Sequence, residues 1–311
     1  MESSYVDYKE SDLDFSPADK QKIKEDAIPG QSLSYMQDAW RRLKKDKVSM
    51  LCLIVVIVLV LIAIFGPYIS KFDYASNNLL NANKAPNKVH WFGTDQLGRD
   101  IFVRVMYGAR ISLSVGFVAA IINLTIGLLY GGFAGYKGGM VDNIMMRIVD
   151  ILYSIPMMLY VILLMVVMGK GLGNVYITLG IAYWTGMARI VRGQVLSLKN
   201  QEFILAAKAA GANGRRILLK HLIPNCMGQI IVTLTLSIPD AIFTEAFLSF
   251  VGLGVSAPMS SWGTLCNDAL ATYRSYPYQL FIPAMAICIT MIAFNLLGDG
   301  LRDALDPKMR K

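Results

Sequence analysis

The segment Gln201–Asn225, QEFILAAKAAGANGRRILLKHLIPN, is a polar, alanine-rich and basic stretch inside a chain that is otherwise strongly apolar. Its first part is rich in strong helix formers, which predicts one short helix over Glu202–Ala210. We expect Gly211 to end that helix, and RRILLKHL to form a second helical run that Pro224 stops. A unit this small cannot bury a core of its own. It must therefore pack against the rest of its chain or against another protein.

The rest of the sequence has the composition of a membrane protein. Hydrophobic residues make up 55% of its 311 residues and charged residues only 17%, which is too apolar for a soluble domain. Six stretches come close to the length of about 20 apolar residues that a spanning helix needs. They are Val48–Ile69, Ile111–Tyr136, Ile148–Met168, Leu172–Met187, Gly228–Val251 and Gln279–Gly298. The sequence therefore predicts an all-α polytopic membrane protein with six transmembrane helices.

The distribution of basic residues predicts the orientation of the chain. If the N-terminus is inside, 22 of the 30 Lys and Arg residues fall on cytoplasmic segments. An excess of Lys and Arg on the cytoplasmic side is typical of membrane proteins, so both termini are expected in the cytoplasm. The first outer loop is an exception, because it holds six of the remaining eight.

The N-terminal part divides into an acidic stretch and a basic one. Eight acidic residues fall within the first 30, with hardly any apolar pattern, which predicts a disordered tail. Residues Ser32–Lys47 instead predict a basic amphipathic helix that lies on membrane lipid, and a nucleic-acid partner is not expected beside a transmembrane helix. The predicted organisation is a cytoplasmic tail with this helix (1–47), a first transmembrane helix (48–70), an extracytoplasmic loop (71–110), a five-helix core (111–300) that contains the loop 201–225, and a cytoplasmic C-terminal tail (301–311).

A second notable run, WFGTDQLGRDIFVRVMYGARISLSVG, begins at Trp91. Its glycines interrupt the backbone and its charges alternate in sign, so the charges can pair locally. The run lacks the spaced ligands of a calcium loop, which argues against a cation site. The residues singled out here are Gly93, Asp95, Gly98, Arg99 and Asp100.

Ionisable and helix-breaking residues mark a candidate gate or pathway. Asp240 and Glu245 fall inside the fifth predicted span, where a charge costs a few kcal/mol and is a functional candidate by default. A buried structural acid is the alternative for Glu245. Pro156 is expected to kink the third span, either to widen a transport pathway or only to fit the packing. Gly252 and Gly254 predict a flexible outer segment.

Four stretches of the chain resemble one known family. The pattern Ala206-Ala207, Gly211 and Ile223-Pro224 resembles the "EAA" loop of the membrane subunits of ABC importers. The run from Trp91, the run EAFLSFVGLGVSAPMSSWG and the end GDGLRDALDPKMRK resemble the oligopeptide, dipeptide and nickel permease branch, specifically its C-type subunit. Two positions depart from the pattern: Leu205 stands where many members have an acid, and His221 where a branched aliphatic residue is common.

The resemblance implies a type I ABC importer permease fold in a prokaryotic cytoplasmic membrane. It implies a heterodimer with a B-type membrane subunit, two cytoplasmic ABC ATPases that bind ATP and Mg, and an extracytoplasmic peptide-binding protein. No cofactor is expected on this chain itself. The residues expected to couple to the ATPases are Glu202, Leu205, Ala206, Ala207, Gly211, Arg215, Arg216, Leu222 and Pro224.

Catalytic and metal motifs are absent from the sequence. It has no GxxxxGK[ST] phosphate loop, no HExxH and no GxSxG with a plausible triad, and its four cysteines are scattered. We therefore expect a non-catalytic permease subunit without a metal site, most plausibly for oligopeptides. A dipeptide or nickel importer subunit is the alternative within the family. A stand-alone secondary transporter is the alternative outside it, although such carriers usually show an internal repeat.

Overall fold

The computed structural model describes residues 35–306, so the predicted acidic tail and the last five residues lie outside the described part. Contacts divide the chain after Asp38, and the description below concerns the unit that begins at Ala39. All regular elements of the described part are helical. They are α1 Tyr35–Lys45, α2 Lys47–Ile69, α3 Ile101–Lys137, α4 Gly139–Ser154, α5 Met157–Met168, α6 Leu172–Leu198, α7 Glu202–Ala209, α8 Gly214–Phe250, α9 Trp262–Ala269 and α10 Tyr278–Leu305, with a 3-10 turn at Leu79–Asn81.

Four of these helices, α2, α3, α8 and α10, are long and apolar enough to cross a membrane. The helices α4 and α5 make a fifth candidate span if they are counted as one element bent by 85°. Of the six predicted spans, Leu172–Met187 is the one that does not meet this criterion, and it lies in α6. The second half of α6 carries Arg189, Arg192 and Gln194, which lower its hydropathy.

The break between α4 and α5 has a local cause. Pro156 precedes the first residue of α5, and Ile155 before it has extended backbone angles, φ −84° and ψ 128°. A residue before proline is driven out of the helical region by a clash with the proline ring. The kink predicted at Pro156 is therefore present, and it is a complete interruption of the helix.

The helices α3 and α6 pack with their backbones in contact. Gly127, Gly131 and Gly135 repeat every four residues along one face of α3, and a Cβ atom on Gly131 would lie 2.2 Å from the carbonyl oxygen of Ala188. Small residues at such spacing allow close helix approach in membrane proteins. Gly132, one position on, is less crowded, since a Cβ atom there would make an ordinary van der Waals contact at 3.6 Å.

One end of the bundle is closed by the short helix α9. Its Trp262 is fully buried, with its indole N–H donating to the carbonyl of Val105 on α3 at 3.1 Å. The helix α1 lies within the predicted range Ser32–Lys47, with Leu43 buried and Trp40 46% exposed. Asp46 caps α2, and hydrogen bonds from the Ser49 hydroxyl and the amides of Val48 and Ser49 lower the pKa of its carboxyl group.

Candidate functional site

The segment between α6 and α8 has the predicted form of a short helix, a glycine turn and a second helical run. Helix α7 covers Glu202–Ala209, and Gly211 follows with a φ of +80°. Only glycine adopts that conformation without strain, which is why the helix ends there. Asn213 then caps α8, because its side chain accepts a 2.9 Å hydrogen bond from the amide of Arg216.

The prediction that Pro224 ends the second run is wrong, because α8 continues from Gly214 to Phe250 without a break. Residues Ile217–Leu222 form a π-helical turn just before the proline, with the amide of Ile223 bonded to the carbonyl of Leu218. This wider register shifts the backbone hydrogen bonds at the position where proline has no N–H to give. The side chain of Asn225 also donates to the carbonyl of His221 at 2.6 Å.

One side of this coupling segment, residues 201–225, packs on its own chain. Ile204, Ile217 and Leu222 are completely buried and belong to a core cluster with residues of α6 and α8. Leu222, predicted to contact an ATPase, is therefore covered by its own chain. The remaining predicted coupling residues are exposed or half-buried: Glu202, Leu205, Ala206, Ala207, Gly211, Arg215, Arg216 and Pro224.

The exposed side of the coupling segment offers small apolar groups flanked by charges. Leu205 is 52% exposed and lies beside Ala206. In the part of the chain that the structure describes, Glu202, Arg215 and Arg216 form no ion pair or side-chain hydrogen bond. Such a surface can insert an apolar ridge into a partner's cleft while its charges pair at the rim.

Glu245 is completely buried beneath the outer segment of residues 252–261. Its carboxylate accepts hydrogen bonds from Ser112 of α3 at 2.9 Å and from Ser249 at 2.7 Å. Gly254 lies directly on Ser249, since a Cβ atom there would be 2.0 Å from the serine oxygen, and Gly252 turns the chain with a φ of +81°. Of the five residues predicted for a gate or pathway, Glu245, Gly252 and Gly254 thus lie close to one another at one end of α8. Pro156 lies apart from them, at the α4–α5 break.

Asp240 is in a different environment from Glu245. It is exposed on α8, and its carboxylate has no hydrogen bond or ion pair with any described residue. The hydroxyl of Thr244, one turn further, donates to the backbone carbonyl of Asp240 at 2.9 Å and is in contact with the hydroxyl of Tyr183 on α6, also at 2.9 Å. The two in-span acids therefore face different surroundings, which their five-residue separation alone does not reveal.

The residues predicted as an extracytoplasmic signature fold into a compact ion-pair cluster before α3. Asp95 pairs with Arg99 at 2.7 Å and with Arg104 at 2.6 Å, and Asp268 from α9 approaches both arginines at 3.2 Å. Asp100 caps α3 through the amide of Val103. His90 adds to this ion-pair cluster by pairing with Asp100 at 2.8 Å. Gly93 and Gly98 have no room for a Cβ atom, because it would collide with the carbonyls of Lys84 and Asn78.

The sequence analysis did not predict an arginine-lined cleft between α4 and α6. The cleft has a volume of about 610 Å³ and is lined by Arg147, Asp150, Arg189 and Arg192 among others. Arg147 and Asp150 lie three residues apart on α4 but do not pair, because Asp150 pairs with Arg189 at 2.6 Å instead. Across residues 35–306, no group of His, Cys, Asp or Glu side chains is arranged to hold a metal ion.

Two family models match the chain. Residues 127–311 match the binding-protein-dependent transport system inner membrane component, and residues 34–86 match the N-terminal TM domain of oligopeptide transport permease C. The first model covers more than half of the sequence, and it includes the coupling segment and α8.

Curated relatives cover nearly the whole chain. An oligopeptide transport system permease protein OppC of Bacillus subtilis (strain 168) is 55% identical over 96% of this chain and 97% of its own length. A dipeptide transport system permease protein DppC of the same organism is 55% identical over 92% of this chain and 90% of its own length. The OppC protein of Escherichia coli (strain K12) is 44% identical over 91% of this chain and 94% of its own length.

A solved structure shares the fold. A chain of the MetNI methionine ABC transporter, crystallised in inward-facing conformations, matches with a TM-score of 0.54 at 21% identity, over 65% of this chain and 96% of that chain. At that identity the likeness concerns the fold alone.

Proposed function

The chain belongs to the family of binding-protein-dependent transport system inner membrane components, and from this premise we propose that it is a membrane-spanning subunit of an ATP-driven importer of oligopeptides. Its role is that of a permease, without catalytic residues of its own. The relatives named for oligopeptide transport match it over almost its full length, which supports this substrate class.

The observation that carries the proposal is the exposed side of the coupling segment. Its inner side is anchored by Ile204, Ile217 and Leu222, so the unit is held rigidly on α6 and α8. The other side presents Leu205 and Ala206 next to charges that pair with nothing in the described residues. A rigid, partly apolar protrusion of this kind fits the cleft of a partner protein, which we take to be an ABC ATPase.

The proposed assembly contains this chain, a B-type membrane subunit, two cytoplasmic ATPases that bind ATP and Mg, and an extracytoplasmic peptide-binding protein. Closure of the ATPases moves the coupling segments and switches the membrane subunits from inward-open to outward-open. The peptide released by the binding protein then crosses between the two membrane subunits. The ion-pair cluster around Asp95 and Arg104 gives the outer surface a fixed shape on which a binding protein can dock.

The proposed topology has six spans, in which α6 is counted as a span in addition to the five candidates, and it places both termini in the cytoplasm of a prokaryotic cell. Packing supports α6 as a span, because it lies against α3 with glycine backbones in contact. The basic residues of α6, α7 and the start of α8 then lie on the cytoplasmic side, as the distribution of Lys and Arg requires.

Glu245 and Asp240 receive separate roles in this proposal. Glu245 anchors the outer segment 252–261 through Ser112 and Ser249, and that segment with Gly252 and Gly254 acts as the outer gate. Asp240 lies on the pathway, and the α4–α5 break at Pro156 gives the pathway its width.

A dipeptide importer subunit is the second candidate. It rests on the dipeptide transport relative of Bacillus subtilis, which has the same identity of 55% as the oligopeptide relative. Uptake of a dipeptide and of a pentapeptide by the same reconstituted complex separates the two candidates.

The test is purification of the tagged chain from membranes in mild detergent, with identification of the proteins that remain bound. We expect a second membrane subunit, two Walker-motif ATPases and, after reconstitution, ATP-dependent uptake of a labelled oligopeptide. A chain that purifies alone and transports in response to a proton or sodium gradient would overturn the proposal in favour of a secondary transporter.

A further inference from the structure

Asp240 occupies an energetically demanding position. It lies near the middle of the predicted span Gly228–Val251, is exposed, and has no partner for its carboxylate among the described residues. A carboxylate at the centre of a membrane costs a few kcal/mol unless a cation or water solvates it. Between Ile223 and Phe250 the other charged residue is Glu245, which is buried and satisfied by its serines. No described residue of α8 therefore supplies a balancing charge for Asp240.

The face of α8 that carries Asp240 bears two further polar residues, together with the half-buried Leu236. Gln229, Thr233 and Asp240 follow one another at spacings of four and seven residues, which places them on a single stripe of the helix. Gln229 is exposed and Thr233 half-buried. Toward the outer end the same stripe continues as the half-buried Phe247. Polar groups at this depth are tolerated only against protein or a water-filled cavity.

The backbone next to Asp240 is fixed by a hydrogen-bond chain from α6. Tyr183 donates to Thr244, whose hydroxyl donates to the carbonyl of Asp240, with both distances 2.9 Å. An aromatic side chain and a carboxylate thus stand on neighbouring helices at one level of the span. An ammonium group is attracted by the unpaired carboxylate of Asp240 through charge pairing.

We propose that Asp240 binds the α-ammonium group of the peptide as it passes through the membrane. This inference rests on the proposed function, because it needs a peptide in the pathway. The α-amino group has an ordinary pKa of about 7.7–8.0 and is charged at neutral pH, and it is present on every unblocked peptide regardless of sequence. Recognition of that group gives a hold on peptides of any composition.

The test compares peptide binding by the intact complex in nanodiscs, without the external binding protein. A free-amine peptide and its des-amino analogue of the same sequence compete with a fluorescent peptide. We expect the wild-type complex to prefer the free-amine peptide about tenfold, Asp240→Asn to lose this preference with unchanged affinity for the analogue, and Asp240→Glu to keep it. Asp303→Asn, which removes an exposed carboxylate at the end of α10, is the matched control and should keep the preference.

Each other result overturns the inference. An unchanged preference in Asp240→Asn excludes Asp240 as the ammonium site, and so does a wild-type complex without a preference or without measurable binding. Dissociation of the complex, or equal loss of both peptides, means that Asp240 pairs with a cation of the partner subunit. Failure of the proposed function is seen separately, as absence of ATP-dependent peptide uptake by the wild-type complex with its binding protein.

Discussion

Ser112 and Glu245, 133 positions apart in the sequence, are joined by a 2.9 Å hydrogen bond in which the serine hydroxyl donates to the carboxylate. The same hydroxyl accepts the amide of Trp262 at 3.3 Å, and Ser249 makes the corresponding pair of bonds to Glu245 and to the amide of Val255. Glu245 thus holds both ends of the outer segment 252–261 through one serine each.

We expect Glu245→Gln to loosen that segment. An amide has a single acceptor oxygen, so one serine loses its partner and a buried polar group is left unsatisfied, at a cost of about 1–3 kcal/mol. Thermal unfolding in detergent should show a lower midpoint, and proteolysis should cut the segment faster. Asp303→Asn is the control and should change neither. An unchanged midpoint with lost uptake would instead identify Glu245 as a gate residue.

The neighbouring glycines of α3 provide a matched pair. Gly131→Ala forces a Cβ atom to within 2.2 Å of the backbone of Ala188, whereas Gly132→Ala meets its nearest atom at 3.6 Å. Overpacking of this kind costs about 1–3 kcal/mol, so Gly131→Ala should lower the unfolding midpoint and Gly132→Ala should leave it nearly unchanged. Equal effects of the two substitutions would show that α3 and α6 do not pack as described.

Gly211→Val should uncouple ATP hydrolysis from uptake while membrane insertion stays normal. The position has a φ of +80° and open space around it, so a β-branched residue is strained by its backbone, by about 1–3 kcal/mol, and not by a clash. Gly211→Asn should retain coupling, since asparagine tolerates this conformation. Gly193→Ala, at an open helical position on α6, is the control. Normal transport by Gly211→Val would remove the turn from the coupling mechanism.

Asp95→Asn and Asp268→Asn should differ strongly. Asp95 is buried between Arg99 and Arg104, and its loss leaves the buried Arg104 with only the partly exposed Asp268 as a partner, which costs up to about 3–5 kcal/mol. The side chain of Asp268 is 41% exposed, so its removal should cost at most about 1 kcal/mol. The amount of folded protein after detergent extraction and its unfolding midpoint measure both. Comparable losses would mean that the two carboxylates share the charge of Arg104 equally.

Local signals made the coupling segment predictable. Its alanine-rich helix, the stop at Gly211 and the turn around Asn213 each depend on residues a few positions apart. The continuation of α8 through Pro224 was not predictable, because it depends on a π-helical turn that accommodates the missing amide. A proline in isolation indicates only that the regular hydrogen-bond pattern cannot pass.

The sequence analysis did not predict the contacts between helices that are far apart in the sequence. The spacing of Arg147 and Asp150 makes them neighbours on α4, but the carboxylate of Asp150 forms its ion pair with Arg189 of α6. The environments of Asp240 and Glu245 differ for the same reason, since Ser112 comes from α3. Periodicity indicates which residues share a helix face but not which other helix covers that face.

The glycine contact between α3 and α6 also determines how force passes through the subunit. Gly131 contacts the backbone of Ala188 directly, with no deformable side chain between the two helices. The two helices are therefore expected to move as one rigid unit. Helix α6 runs for 27 residues, about 40 Å, and only residues 199–201 separate it from α7. In the proposed topology, a displacement of α7 therefore passes along α6 over the full length of that helix.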